Sequence, residues 1–341
     1  MALLGDQAIL ITGGAGYIGA HTAKALAEAG LRPVVFDNLS SGYREAVRWG
    51  PLVEGDVRDR AALAAAMRSH NIAAVIHFAA LIEAERSVSR PDLFYDVNVG
   101  GVMSLLAAMR ETGVSRLVFS STGSFYAPPL GGRAMREDDA KDPANPYAET
   151  KLVSERMIAA HCEAFDLSAV ALRYFNAAGA DDSGLIGEAH QPETHLIPIA
   201  IEAALGMRPE LTVNGTDYPT PDGSCVRDYI HVSDLAAAHI AALALDQSAG
   251  PFHAYNVGTG QGRSVLQVIE AVGRAVGHPV AHKLGPRRAG DPASVVADPT
   301  LGRAELGWAA KHSSLDEIVA TALAWRRDPK YGRFSENNVR A

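Results

Sequence analysis

The stretch Ala8–Ala20, AILITGGAGYIGA, decides the fold. Its apolar residues up to Thr12 predict a buried strand, its glycines a tight turn, and its last residues the start of a helix. Gly13 and Gly16 let the backbone come close to a pyrophosphate, and Gly19 lets the helix pack closely on the sheet. The N–H groups at the start of the helix then face the anion. The stretch therefore predicts a dinucleotide site.

An acidic residue follows at the spacing expected of such a site. Pro33–Asp37 predicts a second strand that ends in Asp37. The Asp37 carboxylate can bond the adenosine ribose hydroxyls, and its charge disfavours the extra phosphate of NADP. A glycine turn without a ligand is the alternative, but the strand, helix and acid around this turn favour NAD.

Composition limits the class of protein. The chain has 341 residues, of which 48% are hydrophobic and 21% charged, as in a globular protein of one large or two modest domains. Its net charge of -8 argues against nonspecific nucleic-acid binding. Two cysteines, no leader pattern and no bilayer-length apolar run predict a cytoplasmic protein without a membrane segment. The 12 histidines show no zinc-type spacing, so no metal site is expected.

Strand and helix patterns alternate through the first half of the chain. The predicted strands are Ala8–Thr12, Pro33–Asp37, Leu52–Glu54, Ala74–Phe78, Arg116–Ser120 and Ala169–Arg173. The predicted helices are Ile18–Ala29, Arg60–Ser69, Pro91–Thr112 and Pro146–Phe165. This order predicts an α/β fold with a Rossmann-type, doubly wound parallel sheet, whose ligands collect at the carboxyl ends of the strands.

The pattern changes after Arg173. Residues 176–192 are expected to be irregular and residues 214–227 to form a polar loop, between the predicted helices Leu196–Leu205, Val232–Leu243, Val265–Ala275 and Leu315–Arg327. We expect an NAD-binding domain over residues 1–178 and a smaller α/β domain over residues 179–341 that closes over the crevice. Parts of residues 228–260 are expected to return to the first domain.

Tyr147 and Lys151 lie four residues apart in a helical stretch that begins at Pro146, so they share one helical face. Tyrosine titrates near ~10, but a nearby ammonium and a positively charged nicotinamide ring favour the phenolate and make it a usable base. A hydroxyl at the end of the fifth strand is expected to bond the substrate hydroxyl, and four side chains compete for that role: Ser120, Ser121, Thr122 and Ser124. An ordinary solvated helix face is the alternative.

These motifs together resemble those of the UDP-glucose 4-epimerases, a group within the extended short-chain dehydrogenase/reductase family. The resemblance covers roughly Ile9 to Trp308, and its motifs are GGAGYIG, DNLSSG, GDVRD, HFAA, FSST, PYAETK, LRYFNAAGA, ETHLIP, GTDYPTPDG, VRDYIHVSDLA, YNVGTG and RRAGD. VRDYIHVSDLA is far more specific than the glycine loop.

The resemblance implies a reversible 4-epimerisation with NAD held throughout. Tyr147 takes the proton of the sugar 4-OH, Lys151 orients the nicotinamide ribose and lowers the tyrosine pKa, and the hydroxyl partner is Thr122. The 4-keto sugar then turns its other face to the nicotinamide. Besides the three glycines, the implied NAD contacts are Tyr17, Ile18, Asp37, Asn38, Asp56, Val57, Phe78, Ala79, Ala80, Asn98, Tyr147, Lys151 and Phe175.

The resemblance also implies the substrate and the assembly. The UDP-sugar contacts fall on Thr122, Asn176, His195, Leu196, Thr212, Val213, Asn214, Arg227, Arg288 and Asp291. An arginine fork suits a diphosphate. Members of the family pair through a four-helix interface, so we expect a homodimer in which Pro91–Thr112 and Pro146–Phe165 present residues such as Val102, Leu105, Leu106, Met157 and Ile158. The other possibility is that these side chains all face the sheet.

The resemblance leaves open which sugar the UDP-linked substrate carries. Val295 aligns with the family position that gates the sugar pocket, and valine leaves space where an acetamido group must fit, so UDP-N-acetylhexosamines are a possible second pair beside UDP-glucose and UDP-galactose. A 4,6-dehydratase would need an acid–base pair where Gly123 and Ser124 stand. A UDP-pentose 4-epimerase and a noncatalytic NAD-sensing regulator are the remaining alternatives, although a regulator could dispense with the tyrosine–lysine pair.

Overall fold

The computed structural model describes residues 8–246, 250–288 and 290–332. The first half of the chain forms β1 (Ala8–Thr12), α1 (Tyr17–Glu28), β2 (Arg32–Asp37), β3 (Leu52–Glu54), α2 (Arg60–Ser69), β4 (Ile72–His77), α3 (Ala84–Ser89), α4 (Pro91–Phe94), α5 (Gly101–Thr112), β5 (Arg116–Thr122), α6 (Pro146–Ala164) and β6 (Ser168–Tyr174). The remainder forms β7 (Asn176–Ala178), α7 (Leu196–Ala204), β8 (Leu211–Asn214), β9 (Val226–His231), α8 (Val232–Ala244), β10 (Phe252–Val257), β11 (Gly262–Ser264), α9 (Val265–Val276), β12 (His282–Gly285), β13 (Ser294–Val295), α10 (Thr300–Leu306) and α11 (Leu315–Arg327).

The main sheet has the order β10-β6-β5-β4-β1-β2-β3, and all its pairs are parallel. All five residues of β1 are buried because helices cover both faces of the sheet, which explains the unbroken apolar run in the sequence. The strand order reverses beside β1, and that reversal opens a crevice at the carboxyl ends of the strands. The predicted Rossmann-type fold is confirmed.

Each face of the sheet has its own apolar core. On one face, Ile9 and Ile11 pack with Leu26 of α1 and Leu235 of α8. On the other, Leu10 packs in a cluster to which α2, α5 and α6 contribute. Both cores bring helix starts and strand ends to the same edge of the sheet, where ligands of such folds bind.

Smaller sheets cover that edge. Strand β9 pairs with β11, β13 and β7, and β8 pairs with β12. Helices α7, α9 and α11 pack together behind them around Ile201, Val272 and Ile318. By contrast β10 joins the main sheet beside β6, and α8 packs on α1. The domain division after residue 178 stays a prediction.

The structure corrects several details of the sequence prediction. The helix expected over Pro91–Thr112 contains a π-helical turn at Tyr95–Gly100, and the segments expected to be irregular or looped contribute Asn176–Ala178 and the start of β9. These strands are short and partly polar, so pairing with neighbours rather than their own pattern defines them. No helix within the described ranges is both long and apolar enough to cross a bilayer.

The side chains expected at a dimer interface are mostly internal. Val102, Leu105, Leu106 and Ile158 are at most 2% exposed and belong to the core under the sheet, with Met157 packed against it. The alternative reading, in which they face the sheet, is therefore correct for these residues. Met103, one position along α5, is instead 59% exposed.

Candidate active site

At two positions of the glycine loop, a Cβ atom would collide with backbone atoms. A Cβ on Gly13, which has φ +74°, would lie 2.6 Å from the Ala79 backbone nitrogen, and one on Gly19 would lie 2.3 Å from the Gly13 oxygen. Gly16 is the N-cap of α1 in extended conformation, with no side-chain hydrogen bond to the helix. Since the first N–H groups of a helix have no partner within it, they are available to an anion at this end.

Asp37 is fixed in place at the end of β2. Its Oδ2 accepts a hydrogen bond from Ala15 N (3.0 Å) and its Oδ1 one from Leu39 N (2.8 Å). Burial raises the carboxyl pKa, and the two backbone donors oppose that shift. The carboxylate is thereby held beside the glycine loop, as the sequence predicts.

The other predicted NAD contacts, here called the cofactor wall, lie near the ends of the strands. Phe78 N and Ala79 N both donate to Thr12 O, at 2.9 and 3.1 Å. Asn38 Nδ2 donates to Asp56 Oδ2 (3.1 Å). Among the other wall residues, Val57 is buried against Gly101, Ala80 is half-buried next to Ala79, Ile18 packs on the core, and the Tyr17 hydroxyl donates to Gly179 O (2.6 Å).

Asn98, another predicted NAD contact, is held by hydrogen bonds to neighbouring elements. Its Oδ1 accepts from Leu81 N (2.8 Å), and its Nδ2 donates to Leu81 O (3.0 Å) and to Thr150 Oγ1 (3.0 Å). The side chain is 2% exposed. Asn98 therefore connects the loop after β4 to α6, and its contact with NAD stays a prediction.

The catalytic helix α6 begins at a well-capped end. Asn145 Oδ1 accepts from Ala148 N (2.9 Å), and Pro146 occupies the first turn. One turn apart on this helix, Tyr147 is hydrogen-bonded to Thr122, and Lys151 Nζ donates to Ser120 O (2.9 Å). Both side chains thus meet the carboxyl end of β5, as predicted.

The structure separates the four competing hydroxyls. Ser120 Oγ makes a short hydrogen bond with the Tyr174 hydroxyl, and Ser121 Oγ donates a short one to Glu155. Thr122 Oγ1 lies beside Tyr147, donates to Ser124 Oγ (2.9 Å) and accepts from Ser124 N (3.1 Å). Thr122 is therefore the strand-end hydroxyl beside the tyrosine, with Ser124 as its neighbour, while Ser120 and Ser121 bond to Tyr174 and Glu155.

The pKa shifts of Tyr147 and Lys151 differ from the expectation. Burial raises the pKa of Tyr147, and the hydrogen bond with Thr122 offsets only part of that shift. Burial lowers the pKa of Lys151 to about 8, and its Nζ lies 5.1 Å from the centre of the Phe119 ring. The predicted lowering of the tyrosine pKa by Lys151 is thus not seen in the protein alone, because the ammonium is directed to Ser120 O.

A buried ion pair that sequence reasoning missed lies behind this site. Arg173 Nη2 donates to Glu155 Oε2 (2.6 Å), and Arg173 Nη1 donates to the Tyr126 hydroxyl (2.8 Å). The Glu155 and Arg173 side chains are 4% and 6% exposed. Glu155 follows Lys151 by four residues, so helical spacing was the available signal.

The predicted nucleotide residues cluster around β9 and β13. Arg227 Nη1 donates to Pro292 O (3.0 Å), and its Nη2 makes a short ion pair with Asp291. Arg288 is exposed in the turn that leads to Asp291, whose N–H donates to Arg288 O (3.3 Å). Arg287 instead pairs with Asp217 (2.7 Å), as expected of a surface charge.

The remaining predicted substrate residues lie on adjoining elements. Asn176 in β7 is paired with Tyr229 of β9, and its Nδ2 donates to Asp228 O (3.0 Å). The other positions are His195 and Leu196 at the start of α7, and Thr212, Val213 and Asn214 in β8, where Val213 is fully buried. Val213 can therefore contribute only its backbone.

Val295 and Phe175 face one apolar cluster. Val295 is paired with Arg227 across β13 and β9. It packs with Phe175 against a cluster made by Phe125, Tyr126, Met135, Ala148 and Leu152. A Cβ on Gly123 would lie 2.3 Å from the Phe175 ring, so that ring lies directly on the turn after Thr122. The predicted gate residue is thus paired with Arg227 and packs on the same cluster as Phe175, which lies on the turn after Thr122.

A second polar group that the sequence analysis overlooked lies near α1. Glu188, His190, Glu193 and His195 bring one potential ligand atom each within 4.8 Å of one another. The signal was an alternation, Glu-x-His-x-x-Glu-x-His, which is invisible when each histidine is considered singly. The expectation that the chain has no metal site did not take this group into account.

Comparisons with known proteins agree with this geometry. Residues 9–258 match the NAD-dependent epimerase/dehydratase family. A UDP-glucose 4-epimerase of Rhizobium leguminosarum bv. trifolii is 47% identical over 94% of this chain and 98% of its own. The crystal structure of the Brucella ovis UDP-glucose 4-epimerase in complex with NAD is 48% identical, with a TM-score of 0.90 over 93% of this chain and 97% of that one.

A further solved structure gives the same result at lower identity. The UDP-glucose 4-epimerase of Bifidobacterium longum, in complex with NAD+ and UDP, is 36% identical, with a TM-score of 0.89 over 96% of this chain and 100% of that one. The resemblance predicted from the motifs is confirmed. Matched over nearly its whole length, with the glycine loop, Asp37 and the Tyr147–Lys151 pair in place, the chain belongs to the NAD-dependent epimerase/dehydratase family and, within it, to the UDP-glucose 4-epimerases.

Proposed function

We propose that this protein is an NAD-dependent UDP-glucose 4-epimerase that interconverts UDP-glucose and UDP-galactose through a 4-keto-hexose. The observation that carries the proposal is the meeting of Tyr147, Lys151 and the β5 terminus at the sheet edge that also carries the glycine loop. Relatives of 42–47% identity over more than nine-tenths of the chain bear that name.

The residues present fit NAD. The loop positions at which a Cβ would collide, Gly13 and Gly19, leave the backbone close to the strand ends, and the start of α1 offers N–H groups to a pyrophosphate. Asp37 is fixed by two backbone donors where it can accept from ribose hydroxyls. When bound, NAD supplies a reversible two-electron acceptor at the sugar C4.

The chain's own residues handle the proton. Thr122 and Tyr147 together bond the sugar 4-OH, and the Tyr147 oxygen takes its proton as the C4–H bond breaks. Burial opposes the phenolate, so Tyr147 acts as a base only when positive charge is close to it. Lys151, still mostly protonated at neutral pH, is the protein's contribution to that charge. The same oxygen returns the proton after the keto sugar has turned. Because the hydride that leaves C4 also comes back to C4, on its other face, the reaction has no net redox change.

The nucleotide end of the substrate is bound by the residues around β9 and β13. Arg227 and Arg288 suit the diphosphate through charge-assisted hydrogen bonds, while Asp291 holds the Arg227 guanidinium in position. Asn176, the start of α7 and β8 contribute polar groups for uridine and the sugar. Because the nucleotide is bound apart from Tyr147 and Thr122, the sugar can turn about its link to the diphosphate while the nucleotide stays fixed.

Val295 supports a second, smaller activity. Its side chain is short, packs like Phe175 against the cluster around Phe125, and is paired with Arg227, so this position brings no aromatic ring toward a sugar bound there. A clash excludes a larger sugar, whereas unused space costs little, so valine permits an acetamido group at C2. We infer that UDP-N-acetylglucosamine and UDP-N-acetylgalactosamine are also interconverted, more slowly than the hexose pair.

We also propose that the protein is a cytoplasmic homodimer. Cys162 and Cys225 are both free, which suits a reducing compartment. The exposed Met103 of α5 is a large apolar side chain on the outer face of the sheet-covering helices, and a second copy packed on that face would bury it.

One experiment tests the proposed reaction. Purified parent protein is incubated with UDP-galactose alone, and the products are separated by anion-exchange chromatography. We expect UDP-glucose from the parent and a rate about 10² to 10⁴-fold lower from Tyr147→Phe, which removes the base. The matched control is Tyr95→Phe, at an exposed tyrosine outside the site. A Tyr147→Phe rate within a few-fold of the parent would rule out the phenolate mechanism.

A further inference from the structure

Four side chains beside the start of α7 converge on one point. Glu188 and His190 lie in the segment before α7, Glu193 follows them, and His195 is the N-cap of α7. His190 Nδ1 lies 3.0 Å and His195 Nδ1 2.6 Å from Glu188 Oε1. His195 Nδ1 is also 3.3 Å from Glu193 Oε1. Two imidazole nitrogens and two carboxylates therefore surround one small volume.

The carboxylates of this cluster are buried. The side chains of Glu188 and Glu193 are 6% and 0% exposed. Glu193 Oε2 is buried and has no hydrogen-bond partner among the described residues. His195 Nδ1 is also buried, and although it is close to Glu188 it lacks the geometry of a hydrogen bond with it. A buried carboxylate oxygen without a partner is costly, so the cluster calls for a cation.

Each neighbouring cation has a carboxylate partner outside the cluster. Arg326 of α11 forms a short ion pair with Glu202 of α7, and Arg208 Nη2 donates to the other oxygen of Glu202 (2.6 Å). Lys24 pairs with Glu28 (2.6 Å) and Asp181 (3.0 Å). Burial lowers the pKa of Arg326, which is also close enough to Glu193 and Glu188 for their charges to oppose that shift. Glu193 Oε1 accepts from Thr194 N and His195 N (2.9 Å each), whereas Glu193 Oε2 has no hydrogen-bond partner in the part of the chain that the structure describes.

We propose that Glu188, His190, Glu193 and His195 bind one divalent transition-metal ion of the zinc type. Zinc bonds to imidazole nitrogen and carboxylate oxygen have lengths of about 2.0–2.2 Å, so neighbouring ligand atoms around the ion lie about 3.0–3.5 Å apart. The measured separations of 2.6–3.3 Å come close to that range and need only a slight opening. Two imidazoles in the set disfavour magnesium and calcium, which prefer oxygen ligands.

Four protein ligands are typical of a structural site rather than a catalytic one. The ion would fasten the segment before α7 to the first residue of that helix. It would also steady the wall beside the glycine loop, because the His190 ring is in edge contact with the Tyr17 ring at 6.3 Å between centroids. No cluster residue takes part in the proposed proton transfer, but His195 is also among the predicted UDP-sugar contacts, so the test of the site measures metal content and not the epimerisation rate.

Metal content tests the site directly. NAD-loaded protein is stripped with dipicolinate, refilled with zinc chloride, desalted and measured by plasma mass spectrometry. We expect one zinc ion per chain in the parent and at least a tenfold lower content in His190→Ala and in Glu193→Gln. The matched control is His312→Ala, which removes an exposed histidine paired with a single glutamate at 2.8 Å and is expected to keep the parent content.

Cobalt chloride provides a second measurement that needs no variant. Titration of the stripped parent is expected to give visible d–d absorption that saturates at one ion per chain and is lost when zinc is added. If His190→Ala and Glu193→Gln do not fold, this titration decides the question. A parent that retains no zinc and gives no saturable cobalt spectrum overturns the proposal, as does zinc content that is equal in the parent and both cluster variants.

Discussion

Replacing Glu155 with glutamine tests the ion pair behind the catalytic helix. Glu155→Gln keeps the size of the side chain but leaves the Arg173 guanidinium, 6% exposed, without its counter-charge. Removing one partner of a buried ion pair costs about 3–5 kcal/mol. One kcal/mol lowers the melting temperature of a chain of this size class by about 2 °C, so we expect a fall of about 5–10 °C.

The same substitution has a signature at the active site. Burial lowers the pKa of Lys151 to about 8, and the negative charge of Glu155 partly opposes that shift. Without the charge, the pKa of Lys151 falls further, so the ammonium is lost at lower pH. We therefore expect the alkaline decline of the epimerisation rate to move to lower pH in Glu155→Gln, an effect that a purely structural residue would not produce.

Differential scanning fluorimetry and a pH–rate profile measure the two effects. The control is Asp96→Asn, which breaks an exposed ion pair between Asp96 and Arg58. Their side chains are 60% and 41% exposed, respectively. Such pairs contribute about 0–1 kcal/mol, so the control should melt within about 2 °C of the parent. A Glu155→Gln protein that melts with the parent, or whose alkaline limb does not move, would refute this reasoning.

Three further predictions concern cofactor, substrate and assembly. Because the Asp37 carboxylate ends β2 beside the glycine loop, where it is predicted to accept from ribose hydroxyls, stripped protein should regain activity with NAD and not with NADP; equal recovery with NADP would contradict this. Val295→Tyr should lower N-acetylhexosamine epimerisation about tenfold or more while sparing the hexose pair, and an unchanged product ratio would remove Val295 as the gate. Met103→Glu should convert the dimer to a monomer in light scattering at micromolar concentration, whereas a monomeric parent would exclude the dimer.

The sheet was predictable because its strands are buried on both faces. The run Ala8–Thr12 is apolar up to its last residue, and parallel strands covered by helices require such runs. Strand β9, Val226–His231, has two charged residues in succession and no regular alternation, so its pairing with β7, β11 and β13 defines it as a strand. Its first two residues were therefore predicted to belong to the polar loop over residues 214–227.

The site was predictable where spacing fixes geometry. Tyr147 and Lys151 had to share a helical face, whereas the choice of Thr122 over Ser120 and Ser121 depended on which hydroxyls are occupied by Tyr174 and Glu155. Those partners lie on other elements, so no local pattern could reveal them. The direction of the tyrosine pKa shift was likewise missed, because burial is a property of the folded chain.

The most direct test of the central claim follows the hydrogen at C4. UDP-galactose carrying deuterium at C4 is incubated with the purified protein in ordinary water, and the UDP-glucose formed is examined by mass spectrometry and NMR. If the C4 hydrogen leaves and returns within the closed site while Tyr147 handles only the hydroxyl proton, the product retains deuterium at C4. Loss of the label to water, or no UDP-glucose at all, would contradict the proposed epimerisation.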